Sequence, residues 1–490
     1  MTALCTKRYG TGKTLLALIG VSILAGCSTN AATGERQFTG LLSPEKEKQI
    51  GAEQHDEALK AFGGIYADKQ LQNYVSEVGQ RLAQYAENTG VTYKFYLLDS
   101  PVVNAFAAPG GYIYVTRGLL YHANSEAELA GVLAHEIGHI TGRHSAERYS
   151  TGVLTQIGAQ VASAAIGSQA ASQALGLGSN LFLSSYSRGQ ENESDELGVR
   201  YLHKAGYDVY ALSRFLQTLQ MQSALEAKTA GRTQNVPSFF STHPNTADRV
   251  TAAASIAARY GKNDAVVNRD RHMALINGIT YGDAASQGFQ QGNMFYHPEL
   301  GFKYAIPSGY NVQNQPSQVV ASGNDGGVLI LDNAANTGGL SPAAFIQNVW
   351  LKGKTAPAVE NYSINGMNAA TTSFKGSLNN KEMTIRIIAI AYDPKTFYRF
   401  QVAYPPNASA STINALKSAT ESFAKLSPNE VSGLTPLRIV TRKAGLNNSV
   451  ASWAGTMPFE NYKEERFRVL NGMVPSAPLR TGETYKLITK

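Results

Sequence analysis

The stretch "GVLAHEIGHITGRH", residues 131–144, sets two histidines four apart with a glutamate directly after the first, in an otherwise apolar run. Residues four apart stack on one face of an α-helix, so His135 and His139 aim their rings the same way. Glu136 then lies roughly 100 degrees around the helix axis. Leu129, Val132, Leu133, Ile137 and Ile140 form an apolar stripe along the same segment, which predicts a helix from about residue 125 to 150. Ser125 and Glu128 have the spacing of a capping box at its start. A helix this apolar would have to desolvate two imidazoles and a carboxylate, a penalty that needs compensation. A zinc ion would supply it, because both ring nitrogens can reach one ion at about 2.0 to 2.1 Å. Glu136, beside the ion rather than on it, suits a general base acting on water that zinc has acidified.

A catalytic zinc takes three protein ligands and keeps one position open. Downstream, "SRGQENESDELG" (187–198) places Glu191 and Asp195 four apart, on a predicted helix that ends at Gly206. Glu191 reads as the third ligand, and Asp195 as the acceptor that orients a ligand histidine and fixes its tautomer. Glu193 competes by proximity, but it faces another side of the helix, and only Glu191 has a carboxylate four residues on. A solvated acidic helix face is the bland alternative, and it loses weight beside the histidine pair. One zinc ion per chain is expected.

With His135, Glu136, His139 and the run Glu191 to Asp195 preceded by Ser187 and Arg188, the chain resembles the zinc metalloprotease family of the CAAX prenyl protease, HtpX and BepA. The likeness extends through "NAFAAPGGYIYVTRGLL" and "STHPNTADRV", over about residues 45 to 260. It departs from the membrane-embedded members in lacking spanning helices, and from BepA in showing no helical-repeat region. The resemblance implies a mainly helical, gluzincin-type protease domain with a small sheet, and cleavage of extended or misfolded polypeptides. It implies that Asn104, Ala105 and Phe106 lie on an edge strand to which a substrate peptide adds by backbone hydrogen bonds. It also implies that His243, in "STHP", acts in catalysis, either as a removable fourth metal ligand or as a stabiliser of the tetrahedral oxyanion. His122, His144 and His203 are expected to stand outside the chemistry.

The N-terminus reads as an export signal: basic residues through Lys13, the apolar run "TLLALIGVSILAG", then Cys27. The run is short for a membrane span, which takes about 20 residues. Leu24-Ala25-Gly26-Cys27 resembles the bacterial lipobox, which implies a signal peptide over 1–26, lipidation of Cys27 and, with Ser28 following, an outer-membrane location. Each buried acyl methylene contributes about 0.8 kcal/mol, so several chains would anchor the protein almost permanently. Residues 27–44 are polar and rich in Gly, Thr and Ser, as suits a tether. The only cysteines are Cys5 and Cys27, so the processed chain would have no disulfide. "GTGKT" (10–14) is no phosphate loop, because Lys7 stands where the pattern needs a glycine. The net charge of +7 falls to +7 − 3 = +4 without Lys7, Arg8 and Lys13. The remaining basic residues are dispersed, so a nucleic-acid partner is not expected.

A chain of 490 residues exceeds what one core usually organises. The protease domain is expected over 45–265. From 275 to 430 alternating segments such as "GFKYAIP", "GGVLILD", "MTIRIIAIAY" and "TFYRFQVAY" dominate, the last two joined across Asp393-Pro394-Lys395, with a helix at about 411–425. This predicts a β-rich sheet-plus-helix domain. Residues 436–490 resemble a degenerate LysM-like module: a strand, two short helices around a "LNG" turn, and a closing strand. Residues 151–185, without a charged residue and rich in Ala, Gly and Ser, fit a buried helical hairpin and a mobile lid equally well. The expected fold class is therefore α+β. The expected function is a zinc-dependent endopeptidase in quality control of envelope proteins, lipid-anchored at the periplasmic face of a bacterial outer membrane. The expected partners are unfolded or extended polypeptides, the membrane, and envelope assembly machinery or peptidoglycan. The rival expectation is a mostly latent protease serving as a chaperone or assembly scaffold.

Overall fold

The polar stretch after Cys27 folds rather than trailing as a tether. In the computed structural model, which describes residues 27–87, 90–166, 185–229, 239–244, 248–261, 265–352, 357–378 and 380–490, strand β1 (Cys27–Thr29) pairs antiparallel with β2 (Arg36–Phe38). The Asn30 side chain accepts from the backbone N–H of Ala32 at 2.8 Å and donates to the Thr141 carbonyl at 2.9 Å. The small polar residues that read as linker thus serve as turn chemistry and as a seam to the protein. The expected signal peptide, 1–26, lies outside the described residues.

The chain divides into two compact units, one comprising residues 1–223, 236–277 and 440–487, the other 224–235, 278–439 and 488–490. In the first, α1 (Pro44–Ala61) is capped by Ser43, with proline in its first turn, and a turn through Gly63 and Gly64 at φ 79 and 85 leads on toward α2 (Lys69–Ala83). The period-two segments form β3 (Lys94–Leu98), β4 (Ala105–Ala108) and β5 (Tyr112–Thr116). β5 lies between a parallel β3 and an antiparallel β4, so β4 is an edge strand. The turn between β4 and β5 uses Gly110 and Gly111 at φ 78 and 96, a region that side chains avoid.

After α3 (Arg117–His122) comes α4 (Glu126–Thr141), the histidine-bearing helix, with every residue except Ile140 buried. Two expectations are corrected here. Ser125 does accept from the Glu128 N–H at 3.2 Å, but the Glu128 carboxylate takes the N–H of Asn124 at 2.8 Å, not that of Ser125, so the box is not reciprocal. The helix also stops short of residue 150. Arg143 adopts φ 53, and a new helix, α5 (His144–Ile166), sets off from there. Long-range contacts hold the break: the Arg143 guanidinium donates to Thr39 Oγ1 at 3.1 Å, the Leu42 carbonyl at 2.8 Å and Glu47 at 3.0 Å. Of the 151–185 region, the residues after Ile166 up to 184 lie outside the described part.

α6 (Arg188–Lys204) begins with a reciprocal box between Ser187 and Gln190, and Gly206 at φ 76 ends it. It packs closely on α4 through glycines: a methyl group on Gly138 would meet the Ser194 carbonyl oxygen at 3.0 Å. α7 (Ala211–Thr229), α8 (Phe239–Thr242), α9 (Arg249–Ala258) and α10 (Arg269–Ile276) follow. Among the described residues no helix is long and apolar enough to cross a membrane.

The second unit carries the expected alternating strands. β6 (Phe289–Gln291), β7 (Met294–His297) and β8 (Phe302–Ala305) form a four-stranded sheet with β16 (Ala424–Lys425). β9 (Asn311–Gln315), β10 (Gln318–Ser322), β11 (Val328–Ala335), β12 (Glu360–Ile364), β13 (Met367–Leu378), β14 (Lys381–Asp393) and β15 (Thr396–Tyr404) form a seven-stranded sheet in the order β12-β13-β14-β15-β11-β10-β9. The β14–β15 hairpin turns where "DPK" predicts it, pairing Asp393 with Thr396. The predicted helix runs over Ala410–Glu421, and its Leu416 and Ala419 join Tyr304, Phe400 and Phe423 in the core.

The C-terminal segment has the βααβ order expected of it: β17 (Arg438–Lys443), Val450–Gly455, Lys463–Leu470 and β18 (Thr484–Thr489), the two strands pairing. "LNG" closes the second helix, with Gly472 at φ 60, rather than separating the two. Most of this segment belongs to the same compact unit as the histidine helix. Its Lys486 ammonium is buried and donates to the carbonyls of Tyr121 and Ala123, each at 2.8 Å.

Candidate metal centre

α4 and α6 cross so that their polar residues meet in the middle of the first unit. The His135 and His139 Nε2 atoms lie 3.0 Å apart, as the i, i+4 spacing requires. From α6, Glu191 brings Oε1 to 3.4 Å from His139 Nε2 and Oε2 to 3.6 Å from His135 Nε2. From the residue just after α8, His243 brings Nδ1 to 2.9 Å from Glu191 Oε1 and 3.3 Å from His135 Nε2. His135, His139, Glu191 and His243 each offer a ligand atom, all within 4.8 Å of one another. Ligands tetrahedrally arranged around zinc at about 2.0 to 2.1 Å stand roughly 3.3 Å apart, so the spacing suits such an ion.

The electrostatics point the same way. His135 and Glu136 are fully buried, and His139 and Glu191 are 2% exposed. Both carboxylate oxygens of Glu136, and His243 Nε2, have no hydrogen-bond partner among the described residues, although Glu136 Oε1 and His243 Nε2 stand 3.4 Å apart. Burial raises the Glu136 pKa and lowers that of His139 well below the ordinary value. Burial would also raise Glu191, but His243, hydrogen bonds from His139 and His243, and Arg249 outweigh it and hold the carboxyl well below its usual range. Unsatisfied polar atoms in so dry a place carry a large desolvation penalty. A cation bound among these donors would relieve it, so the residues present fit a zinc ion.

Asp195 accepts at 2.8 Å from Nδ1 of His135, leaving Nε2 for the metal. Glu193 is not in the metal-ligand group; its carboxylate lies 3.2 Å from His144 Nε2. His144, read from the sequence as a bystander, is in contact with the site: its Nδ1 lies 2.8 Å from His139 Nδ1. His122 is structural, bonding the Gly118 carbonyl through Nδ1 at 2.8 Å, and burial pulls its pKa down to about 4. His203 packs on Tyr260, with ring centroids 4.9 Å apart. On the small sheet, Asn104 bonds Thr116 through its backbone N–H and carbonyl, and Ala105 and Phe106 begin the edge strand β4. The Phe106 ring packs between Phe62 and Tyr114.

Two further residues escaped the sequence reading. Arg249, at the start of α9 and 2% exposed, reaches Glu191 at 2.5 Å and makes a two-pronged bond to Asp195 at 2.9 Å on each prong. Two buried carboxylates one turn apart require a cation, and the arginine of "STHPNTADRV" was the available signal. Tyr186 stacks on His139 with centroids 3.6 Å apart, and the Arg148 guanidinium covers its ring at 3.8 Å. No spacing rule announces that contact.

The sequence profile of peptidase family M48 matches residues 69–257. A beta-barrel assembly-enhancing protease of Yersinia pestis is 31% identical over 226 residues, 44% of this chain and 45% of the relative. The protein of that name in Escherichia coli K12 is 29% identical over the same shares. The mitochondrial metalloendopeptidase OMA1 of Schizosaccharomyces pombe is 27% identical over 44% of this chain and 63% of its own length. The chain thus spans somewhat under half the length of the two bacterial relatives. Over residues 69–257, this chain is thus similar to peptidase family M48.

Proposed function

We propose that the protein is a zinc-dependent endopeptidase acting on extended or unfolded polypeptides of the bacterial envelope. The observation that carries this reading is the convergence of His135, His139, Glu191 and His243 beside a buried carboxylate, Glu136, that has no hydrogen bond among the described residues. His135, His139 and Glu191 would hold the ion. Bound there, zinc supplies Lewis acidity that acidifies water and polarises a peptide carbonyl. Glu136 would take the proton from the attacking water and pass it to the leaving amine; burial raises its pKa toward the range of an effective base. Asp195 holds the His135 tautomer, and Arg249 neutralises Asp195 and Glu191 together. The β4 edge, with Ala105 and Phe106 at its start and Asn104 just before it, would hold the substrate backbone. The relatives named for beta-barrel assembly and the lipobox-like Cys27 support a lipid-anchored role in outer-membrane protein assembly or quality control.

The second reading, a mostly latent protease that grips clients, rests on the burial of the whole centre, with His135, Glu136 and His243 at 0% exposure. One experiment separates the two. The purified chain should bind one zinc and cleave an unfolded protein such as reduced casein, with cleavage stopped by a chelator and restored by zinc. Stoichiometric zinc without cleavage would favour the latent scaffold, and no zinc at all would overturn the assignment.

A further inference from the structure

The two ligand histidines are supported differently. His135 Nδ1 meets a carboxylate directly, Asp195 at 2.8 Å. His139 Nδ1 meets another imidazole, His144 Nδ1 at 2.8 Å, whose far nitrogen, Nε2, lies 3.2 Å from Glu193 Oε2. If His139 turns Nε2 to the metal, its proton sits on Nδ1 and is donated to His144. His144 must then accept on Nδ1, so its own proton sits on Nε2 and is donated to Glu193. Each donor in this chain has one acceptor, and the carboxylate at its end selects both tautomers.

The backbone is arranged for this contact. α4 ends one residue before Gly142, Arg143 takes the left-handed conformation at φ 53, and α5 starts at His144. That break turns the His144 ring back over Gly142, where any Cβ would collide with the ring. His144 is 0% exposed, and Ser194, next to Glu193 on α6, places its hydroxyl 3.4 Å from the same Nδ1. A continuous α4–α5 helix would have cost less backbone strain, but it would have carried His144 away from His139.

We propose that Glu193 and His144 are positioning residues for the metal centre: a carboxylate–imidazole relay that orients His139 and fixes its tautomer, as Asp195 does directly for His135. The inference rests on the zinc reading given above. It assigns Glu193 a task distinct from ligation, and it assigns the helix break one too.

The test is zinc affinity by chelator competition on the full chain, with cobalt(II) absorption and the melting temperature of the metal-free protein measured in parallel. Glu193→Met removes the acceptor, and His144→Phe keeps the ring volume without its nitrogens. Both should bind zinc about 10- to 100-fold more weakly, the usual effect of losing a ligand's orienting partner. Both should also shift the cobalt spectrum, with melting of the metal-free chain unchanged. Glu193→Gln retains a carbonyl acceptor and should stay close to wild type. Wild-type affinity and an unshifted cobalt spectrum in both disruptive variants would overturn the relay, and so would losses that simply track a lower melting temperature of the metal-free chain. A wild-type chain that binds no zinc would instead remove the reading beneath, and this inference with it.

Discussion

Gly198 of α6 faces the backbone of His135 on α4 so closely that a methyl group there would sit 3.2 Å from the His135 nitrogen and 3.3 Å from its Cα. The contact is backbone to backbone, so no side chain can rotate away to relieve it. It sets the distance at which Glu191, two turns earlier on α6, meets the histidine pair. Gly198→Ala should therefore push the two helices apart by a few tenths of an ångström, destabilise the chain by about 1 to 3 kcal/mol as overpacking does, and weaken zinc binding. Denaturant titration with and without zinc checks both effects. Unchanged stability and zinc affinity would mean that the helix spacing is not set here.

Glu136→Gln leaves every metal-ligand candidate in place. We expect near-stoichiometric zinc and a loss of unfolded-protein cleavage by orders of magnitude, since the amide cannot take a proton from water. Zinc analysis alongside casein turnover measures this. Turnover at the wild-type rate would remove Glu136 from the base role.

His243 is 2.9 Å from Glu191 and 3.4 Å from Glu136, close enough to occupy the open position of the metal or to donate to an oxyanion. If it is a removable fourth ligand, His243→Ala should raise basal cleavage, and this is the outcome we expect if the chain is the exported protease proposed above, which would need restraint. If it is a donor, the same change should slow cleavage by the equivalent of about 2.7 to 4 kcal/mol. Unchanged cleavage together with an unchanged cobalt(II) spectrum would show that this histidine is structural.

Lys486 is fully buried and satisfies two carbonyls at the C-terminal end of α3, where the helix dipole also favours a cation. Lys486→Ala would take one donor from the Tyr121 and Ala123 carbonyls and one of the cations near the buried Glu128, which keeps Arg214 at 3.9 Å. The chain should lose about 1 to 3 kcal/mol, the cost of leaving a buried polar group unsatisfied. Lys486→Met, which keeps the stem, should lose less. Equal stability of both variants and wild type in urea would show that the C-terminal strand contributes little to the first unit.

Cys27→Ser removes the proposed acyl site. Because no helix among the described residues can span a membrane, the variant should lose its acyl label and leave the membrane fraction. Retention in membranes washed at high salt would point to another attachment.

The metal-centre residues were legible in sequence where their relation is local. Helical spacing alone puts His135 and His139 on one face and Glu191 and Asp195 on another, and that geometry does not depend on the rest of the chain. The Gly110-Gly111 turn and the Gly206 terminator are local in the same sense, set by which residue tolerates positive φ, whereas the edge position of β4 was implied only by the resemblance. The sequence could not show which distant groups close around them. Arg249 binds Asp195 from 54 positions away. Glu193 reaches a histidine 49 positions earlier, while Asn30 seals the end of the zinc helix from 111 positions away. Lys486 caps a helix 363 positions upstream. Each of these is a polar group taken out of water, tolerable only where the completed fold delivers a partner. The same demand breaks the α4–α5 helix at Arg143, whose side-chain bonds to Thr39, Leu42 and Glu47 outweigh the local preference for a continuous helix. Periodicity follows from neighbours in the chain. The partner of a buried charge follows only from closure of the whole unit.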